Sequence, residues 1–362
     1  MNFSFGEYKT NVYLSKDIPT ICQLALDLGL EAGRPSFNPL IIADENTSSI
    51  AAKLCDGWDL PFCIIKSGEE NKNWQSVEKI LAAAQTAGLG RDGIFIAVGG
   101  GVICDITAFA ASIYKRGCSI VLVSTTLLGM VDASIGGKTG FDIFDIKNLI
   151  GSFYPAQTVY MPVISLNTLP QREWKSGMAE LIKTAILSGD DFLDQITEKA
   201  DLLKDYTKLA ESDILRKCIE KAVLYKGSIV SEDPKEISGK RMLLNLGHTF
   251  GHALESTAGL GVISHGEAVA WGITRACELG EKLQITPALR AKKIKDLLLS
   301  FGYECTNIHP LASNTNALLN VMKSDKKKKQ GKITFIVPDE KSACTVILNS
   351  ESEMEILNNL FL

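Results

Sequence analysis

Apolar, β-branched runs of strand length alternate with helical periods through the first half of the chain. PLIIADE (39–45) and PFCIIKS (61–67) read as strands, and WQSVEKILAAAQTAGLG (74–90) as an amphipathic helix ended by glycine. GIFIAVGGG (93–101) is a buried strand running into a glycine turn, VICDITAFAASIY (102–114) the helix that follows, and CSIVLVSTT (118–126) the next strand. This alternation predicts an α/β fold with a parallel sheet flanked by helices. The texture changes near Leu169: WKSGMAELIKTAIL and the stretches 191–230 and 245–300 carry helical periods and few strand-like runs. Toward the end, GKITFIVPDEKSACTVIL predicts a small strand pair. A boundary within 165–175 divides an α/β domain, 1–170, from a mainly helical one, 171–362.

Length supports that division, since 362 residues exceed one compact core of ordinary size. A hydrophobic share of 46% with 22% charged residues is ordinary globular composition. The formal net charge of −4 argues against a general nucleic-acid binder, because phosphate backbones attract basic surfaces. MNFSFGEYKT lacks the basic start and apolar core of a signal peptide. The longest apolar stretch, FIAVGGGVICDITAFAASIY, carries Asp105 in its middle, so no membrane span is expected. Nine scattered cysteines without a CxxC pair predict reduced, mostly buried thiols in a cytoplasmic protein, where the Asn46-Thr47-Ser48 sequon has no meaning.

Candidate chemistry begins at AVGGGVICD (97–105), three glycines between a buried strand and a helix. Amides at such a helix start point outward, and glycine lets a pyrophosphate approach them. A GxGxxG would need glycine at 104, where Cys104 stands, so a tight structural turn is the competing reading. Thr125, Thr126 and ADEN (43–46) end neighbouring strands and would face the same crevice, which moves the reading towards a cofactor. TTLLGMVDASIGGKTGFDIFDIKNLIG (125–151) then places Asp132, Lys138 and Lys147 among residues suited to burial. A structural Asp–Lys pair on a surface loop would account for part of it. Gly136-Gly137-Lys138-Thr139 also makes an anion cradle, and Arg116 in YKRG adds a guanidinium suited to phosphate. Oddly placed cations in an acidic chain point to an anionic small molecule.

Three of the four histidines fall between 248 and 265. In LNLGHTFGHAL, His248 and His252 share one helical face a turn apart, and His265 follows in SHGEAV. Neutral imidazoles and one carboxylate are a standard catalytic zinc set. Glu180, on an apolar helix with Lys183 one turn on, is the first candidate; Glu267, Glu255 and Asp233 compete, and which two histidines ligate stays open.

GGGVICDITAFAASIYKRG, STTLLGMVDASIGGKTGFD, KNLIGSFYPA, LNTLP, SGMAELIK, LNLGHTFGHALE and HGEAVAWG together resemble the 3-dehydroquinate synthase family of the shikimate pathway, in its order and spacing, over about 40–330. The resemblance implies an N-terminal Rossmann-like NAD-binding domain and a mainly helical metal- and substrate-binding domain. It also implies a homodimer that takes an anionic sugar phosphate and neither nucleic acid nor membrane. The implied reaction converts 3-deoxy-D-arabino-heptulosonate 7-phosphate to 3-dehydroquinate and phosphate, by transient oxidation with NAD, phosphate elimination, reduction and aldol closure. Zinc, with cobalt as the alternative, falls on Glu180, His248 and His265. Phosphate falls on Lys138, Asn148, Asn245, His252 and Lys327, with Arg116 donated across the dimer, and the substrate carboxylate on Lys226 and Arg241; Lys183 joins the catalytic set. NAD falls on Asp44, Asn46, Glu69, Lys72, Gly100, Gly101, Asp105, Thr125, Thr126, Asp132, Lys138, Lys147, Thr168 and Leu169.

The chain departs from the family where Cys104 replaces a glycine, which should narrow the helix start, and where one extra residue lies around EDPKEIS. It also has extra lysines in SDKKKKQGK, and DEKSA stands where a glycine-containing turn is usual. The competing activities are another sugar phosphate cyclase, such as 2-deoxy-scyllo-inosose or 2-epi-5-epi-valiolone synthase, and an iron-dependent alcohol dehydrogenase.

Overall fold

The apolar runs become the strands of one seven-stranded sheet. In chain order the first part is β1 (Asn2–Phe5), β2 (Tyr8–Ser15), α1 (Ile21–Asp27), β3 (Pro39–Asp44), α2 (Ser48–Cys55), β4 (Phe62–Ile65), α3 (Trp74–Thr86), β5 (Ile94–Gly99), α4 (Gly101–Ile113), β6 (Ser119–Ser124), β7 (Lys138–Ile143), β8 (Ile146–Phe153) and β9 (Thr158–Pro162). The computed structural model describes every residue except 35, 145, 205–212, 260, 313–314, 329–332 and 362, and only the backbone of 323–328, 351 and 352.

The sheet order is β1-β2-β9-β6-β5-β3-β4, and every neighbouring pair is parallel except β1–β2. β5 and β9 are buried along their whole length, as strands covered on both faces must be. Ile41, Ile96, Val98, Val121 and Val123 meet Ile21, Leu24, Ala51 and Leu54 of α1 and α2 in one core. From β3 the chain steps outward to β4, then returns to β5 on the other side of β3. The carboxyl ends of β3 and β5 therefore flank a topological switch point, where open α/β sheets bind ligands. β7 and β8 lie outside this sheet as an antiparallel hairpin.

The second part is α5 (Gln171–Ser188), α6 (Asp190–Glu198), α7 (Ala200–Lys204), α8 (Asp213–Glu232), α9 (His248–Ala258), α10 (His265–Lys282), α11 (Ala288–Ser300), α12 (Thr315–Lys328), β10 (Ile333–Pro338), β11 (Ala343–Leu348) and α13 (Glu351–Asn358). Contacts group Met1–Pro170 with Thr207–Lys235, and Gln171–Tyr206 with Glu236–Leu362. The first break falls after Pro170, and α8 groups with the α/β unit. Its Gly227 explains the close fit: a Cβ there would lie 2.1 Å from the Phe3 ring of β1.

In the helical unit, β10 and β11 form the expected strand pair. DEKSA closes it without glycine, because the Asp339 carboxylate accepts the N–H groups of Lys341 and Ser342 at 3.0 and 2.7 Å. Buried Arg290 fastens the turn to α5, donating to the carbonyls of Asp339, Ser342 and Ile186 at 2.5, 2.7 and 2.9 Å. All nine cysteines are free thiols and seven are buried. Among the described residues no helix is long and apolar enough to cross a membrane.

Candidate functional site

In the α/β unit, Gly100 is the N-cap of α4, with no side-chain cap and no acidic residue in the first turn. The first amides of α4 are thus left for an outside acceptor, at the positive end of the helix dipole. Glycine is required at 100, since a Cβ would sit 2.8 Å from Thr126 Cγ2. Beside it, the Asp44 carboxylate accepts the Thr47 N–H at 2.8 Å, and the Thr47 hydroxyl reaches the Val98 carbonyl at 2.8 Å, tying the ends of β3 and β5 together. The Thr125 N–H bonds Gly99 O at 2.9 Å and brings the end of β6 into line. Cys104 is buried, its Sγ 3.7 Å from Gly99 O. Asn46 is exposed just beyond β3, and Thr168 and Leu169 follow β9 at the same edge of the sheet.

Thr126 Oγ1 accepts the Gly129 N–H at 3.0 Å and starts the π-turn Gly129–Ala133 that carries Asp132. The expected Asp–Lys pair exists, but its lysine comes from α8: Lys226 Nζ lies 2.6 Å from Asp132 Oδ1 and 2.6 Å from the Asp132 carbonyl. Lys72 closes the 3-10 turn Glu69–Asn71 and donates at 2.6 Å to both Asp105 Oδ2 and Asn148 Oδ1. Burial opposes the charge on Lys72, but the carboxylates of Asp105 and Glu69 outweigh it and hold its pKa above the ordinary lysine value. Lys138 opens β7 and is exposed, while half-buried Lys147 precedes Asn148 on β8. Arg116 is not brought to this crevice. It is exposed past the far end of α4, about 20 Å along that helix from the glycine turn, with Lys115 and Arg116 both left-handed at φ 50 and 68.

In the helical unit the candidate metal ligands come from three helices packed unusually closely. A Cβ at Gly272 of α10 would lie 2.0 Å from Gly247 O at the start of α9, and one at Gly266 would lie 2.2 Å from Ser176 O of α5. These approaches bring Glu180, His248 and His265 together, with one ligand atom from each lying within 4.8 Å of the others. His248 Nε2 lies 3.8 Å and His265 Nε2 3.4 Å from Glu180 Oε1. Tetrahedral zinc with 2.0–2.1 Å bonds separates its ligand atoms by roughly 3.3 Å, so the three fit a metal with little movement. The outer nitrogens are held as ligands require: His248 Nδ1 is 3.2 Å from Leu246 O, and His265 Nδ1 is 3.5 Å from Glu255 Oε2. Lys183 Nζ pairs with the other Glu180 oxygen, and both side chains are buried.

Electrostatics treat the two imidazoles differently. Burial, reinforced by Lys183, pushes His248 down to about 3, so its ring is neutral and able to ligate. For His265 burial acts in the same direction, but Glu180 and Glu255 overcome it and hold the ring up to about 10.

His252, exposed one turn past His248, has its ring centroid 5.3 Å from that of His248 and 6.1 Å from that of His265. It also belongs to a second ligand-capable group with Glu255 and His265. Of the competing carboxylates, Glu267 is engaged in a capping box with Ser264, and Asp233 belongs to the other unit. Glu255, named from the sequence as a rival ligand, lies 3.5 Å from His265 Nδ1, on the side of the ring away from Glu180. Arg241 is buried in the 3-10 turn Arg241–Asn245, and Asn245 Nδ2 donates to Glu236 Oε1 at 3.1 Å; Glu236 had no sequence signal of its own. The Lys327 side chain lies outside the described residues.

The family models described as 3-dehydroquinate synthase N-terminal and C-terminal match residues 62–176 and 177–328. A 3-dehydroquinate synthase of Colwellia psychrerythraea strain 34H is 40% identical over 339 residues, covering 93% of each chain. One from Dictyoglomus thermophilum is 40% identical over 296 residues, covering 81% of this chain and 80% of its own. Among solved structures, the 2-epi-5-epi-valiolone synthase of Streptomyces hygroscopicus subsp. jinggangensis 5008, with NAD+ and Zn2+ bound, superposes with a TM-score of 0.82 at 24% identity over 99% of this chain and 98% of its own. That likeness establishes the two-part fold. Family models across most of the chain, and relatives at 40% identity over 81–93% of it, establish more: this chain belongs to the 3-dehydroquinate synthase family.

Proposed function

We propose that the chain converts 3-deoxy-D-arabino-heptulosonate 7-phosphate to 3-dehydroquinate and inorganic phosphate, with NAD regenerated in each turnover. The observation that carries this reading is the convergence of Glu180, His248 and His265, each imidazole presenting Nε2 to Glu180, with Nδ1 bonded to Leu246 O in His248 and 3.5 Å from Glu255 Oε2 in His265. Those residues would hold a divalent ion, zinc or cobalt; the uncapped start of α4, with Asp44, Asn46, Glu69, Lys72, Asp105, Thr125, Thr126, Asp132, Lys147, Thr168 and Leu169, would hold NAD. When bound, the ion supplies Lewis acidity towards substrate hydroxyls and NAD a transient hydride acceptor.

The chain's own residues do the rest. Lys138, Asn148, Asn245, His252 and Lys327 bind the phosphate, and Arg241 and Lys226 the carboxylate. Lys226 must then exchange or share its bond to Asp132. Lys183 balances the Glu180 charge and stands ready to hold a proton beside the metal ligands. Together these cations fix a doubly anionic substrate in a geometry that favours ring closure, where positioning supplies much of the rate.

We further place the enzyme in the cytoplasm as a homodimer. Arg116 is exposed past the far end of α4 from the glycine turn, which suits donation to a partner copy, and β8 exposes Ile146, Leu149, Ile150 and Phe153. Identity of 40% to dehydroquinate synthases against 24% to a valiolone synthase favours the carboxylate-bearing substrate. Parallel assays with the heptulosonate phosphate, glucose 6-phosphate and sedoheptulose 7-phosphate test this choice. Phosphate release from the first alone is expected, and a preference for either of the others would reassign the activity. Steady NADH formation at 340 nm would instead indicate an alcohol dehydrogenase.

A further inference from the structure

Asp142, to which no role has been given so far, sits where the β7–β8 ladder breaks. Phe141 pairs with Ile150 and Ile143 with Ile146, so Asp142 alone stands opposite residues 147–149. Such a bulge re-aims a side chain. Here the residue re-aimed is Asn148, whose backbone is left-handed at φ 52. Asparagine tolerates that region but does not choose it unaided.

Three hydrogen bonds close a ring around the bulge. The Asp142 N–H donates to the Lys72 carbonyl at 2.7 Å, Lys72 Nζ donates to Asn148 Oδ1 at 2.6 Å, and the Asn148 N–H donates to Asp142 Oδ1 at 2.7 Å. The ring has a directional consequence. An ammonium has only donors to offer, so it fixes the acceptor end of the Asn148 amide towards Lys72. The exposed side chain therefore presents its N–H2 end outward, the correct polarity for a phosphate oxygen.

We infer that Asp142 is a positioning residue for the phosphate of the substrate: its carboxylate holds the Asn148 backbone left-handed so that the Asn148 amide donates to the phosphate. This rests on the assignment of Asn148 to phosphate made under Proposed function.

The test uses the full-length enzyme loaded with NAD and metal, and measures KM and kcat for the heptulosonate phosphate together with calorimetric binding of inorganic phosphate. Asp142→Ala is expected to raise KM and weaken phosphate binding about tenfold, with a smaller change in kcat, the scale of one net hydrogen bond. Asp142→Asn keeps the acceptor and should restore KM to within roughly threefold of wild type. Asp142→Glu keeps the charge but displaces the acceptor by one methylene, so it should resemble Ala; it serves if the Ala variant fails to fold. In an Asn148→Gly background, where glycine adopts the left-handed backbone without strain, the Asp142 substitutions should have no further effect. If Asn148→Gly alone leaves phosphate binding intact, the assignment of Asn148 falls. If Asn148→Gly weakens binding and the Asp142 effect adds to it in full, or Asp142→Glu behaves as wild type, the positioning role is overturned.

Discussion

Gly272→Ala probes the geometry on which the proposed metal site depends without touching a candidate ligand. The added Cβ would lie 2.0 Å from Gly247 O and 2.9 Å from Gly251 N. Carbon-to-carbonyl-oxygen contacts normally stop at about 3.3 Å, so α9 and α10 must separate by roughly 1 Å. Overpacking of this kind costs about 1–3 kcal/mol. For a unit of this size each kcal/mol lowers Tm by about 2–4 °C, which gives a fall of roughly 2–12 °C. His248 follows Gly247 directly, so the same displacement moves its Nε2 from the present 3.8 Å to Glu180 Oε1. Metal bonds tolerate deviations of only about 0.2 Å, and zinc affinity should drop at least about tenfold. Calorimetric melts with and without zinc, and competition against a chromogenic chelator, measure both effects; NAD titration controls for the other unit. A variant with wild-type Tm and wild-type zinc affinity would refute the argument that the close helix contact sets the ligand positions.

Glu180→Gln should lose stoichiometric metal by elemental analysis, and nearly all turnover, while circular dichroism stays that of the wild type. Lys138→Ala should impair phosphate release far more than NAD binding; equal losses would move Lys138 to the cofactor. Arg290→Ala leaves three carbonyls without their shared donor, and chemical denaturation should show a loss of about 2–4 kcal/mol with activity per folded molecule unchanged. His309 is held below the ordinary imidazole value chiefly by burial, so its folded form stays neutral as the unfolded chain takes up a proton. Its contribution is whole above pH about 6.5 and is lost as pH falls below that towards the lowered folded value. His309→Gln should flatten the fall in Tm between pH 7 and 5, and an unchanged slope would contradict this reading.

β3 to β6 were legible because strands covered on both faces must be apolar throughout, and PLIIAD and IFIAVG are. The β1–β2 edge and the β7–β8 hairpin carry no such signal: β8 is mostly exposed, and β7 mixes Lys138, Gly140 and Asp142 into a short run. Helical periodicity marked α8 as a helix but could not say which unit its buried face covers; Gly227 against Phe3 decides that, and only in three dimensions. The candidate metal cluster was legible because histidine is rare here and three cluster. The choice among carboxylates was not, although Ser264-His265-Gly266-Glu267 carries a capping signature that marks Glu267 as already occupied. Glu255 stayed one rival among several because spacing cannot say which nitrogen of His265 a carboxylate will face; the fold sets it 3.5 Å from Nδ1. The pairing of Lys226 with Asp132 joins residues 94 apart and had no local trace.

The most direct test of the account measures inorganic phosphate and absorbance at 340 nm together, with the heptulosonate phosphate and NAD, before chelation, after it, and after zinc is restored. The account predicts phosphate released with 3-dehydroquinate in equal amounts and no accumulating NADH, stopped by the chelator and recovered with zinc. Turnover indifferent to chelation, or NADH rising in step with substrate consumed, would contradict it.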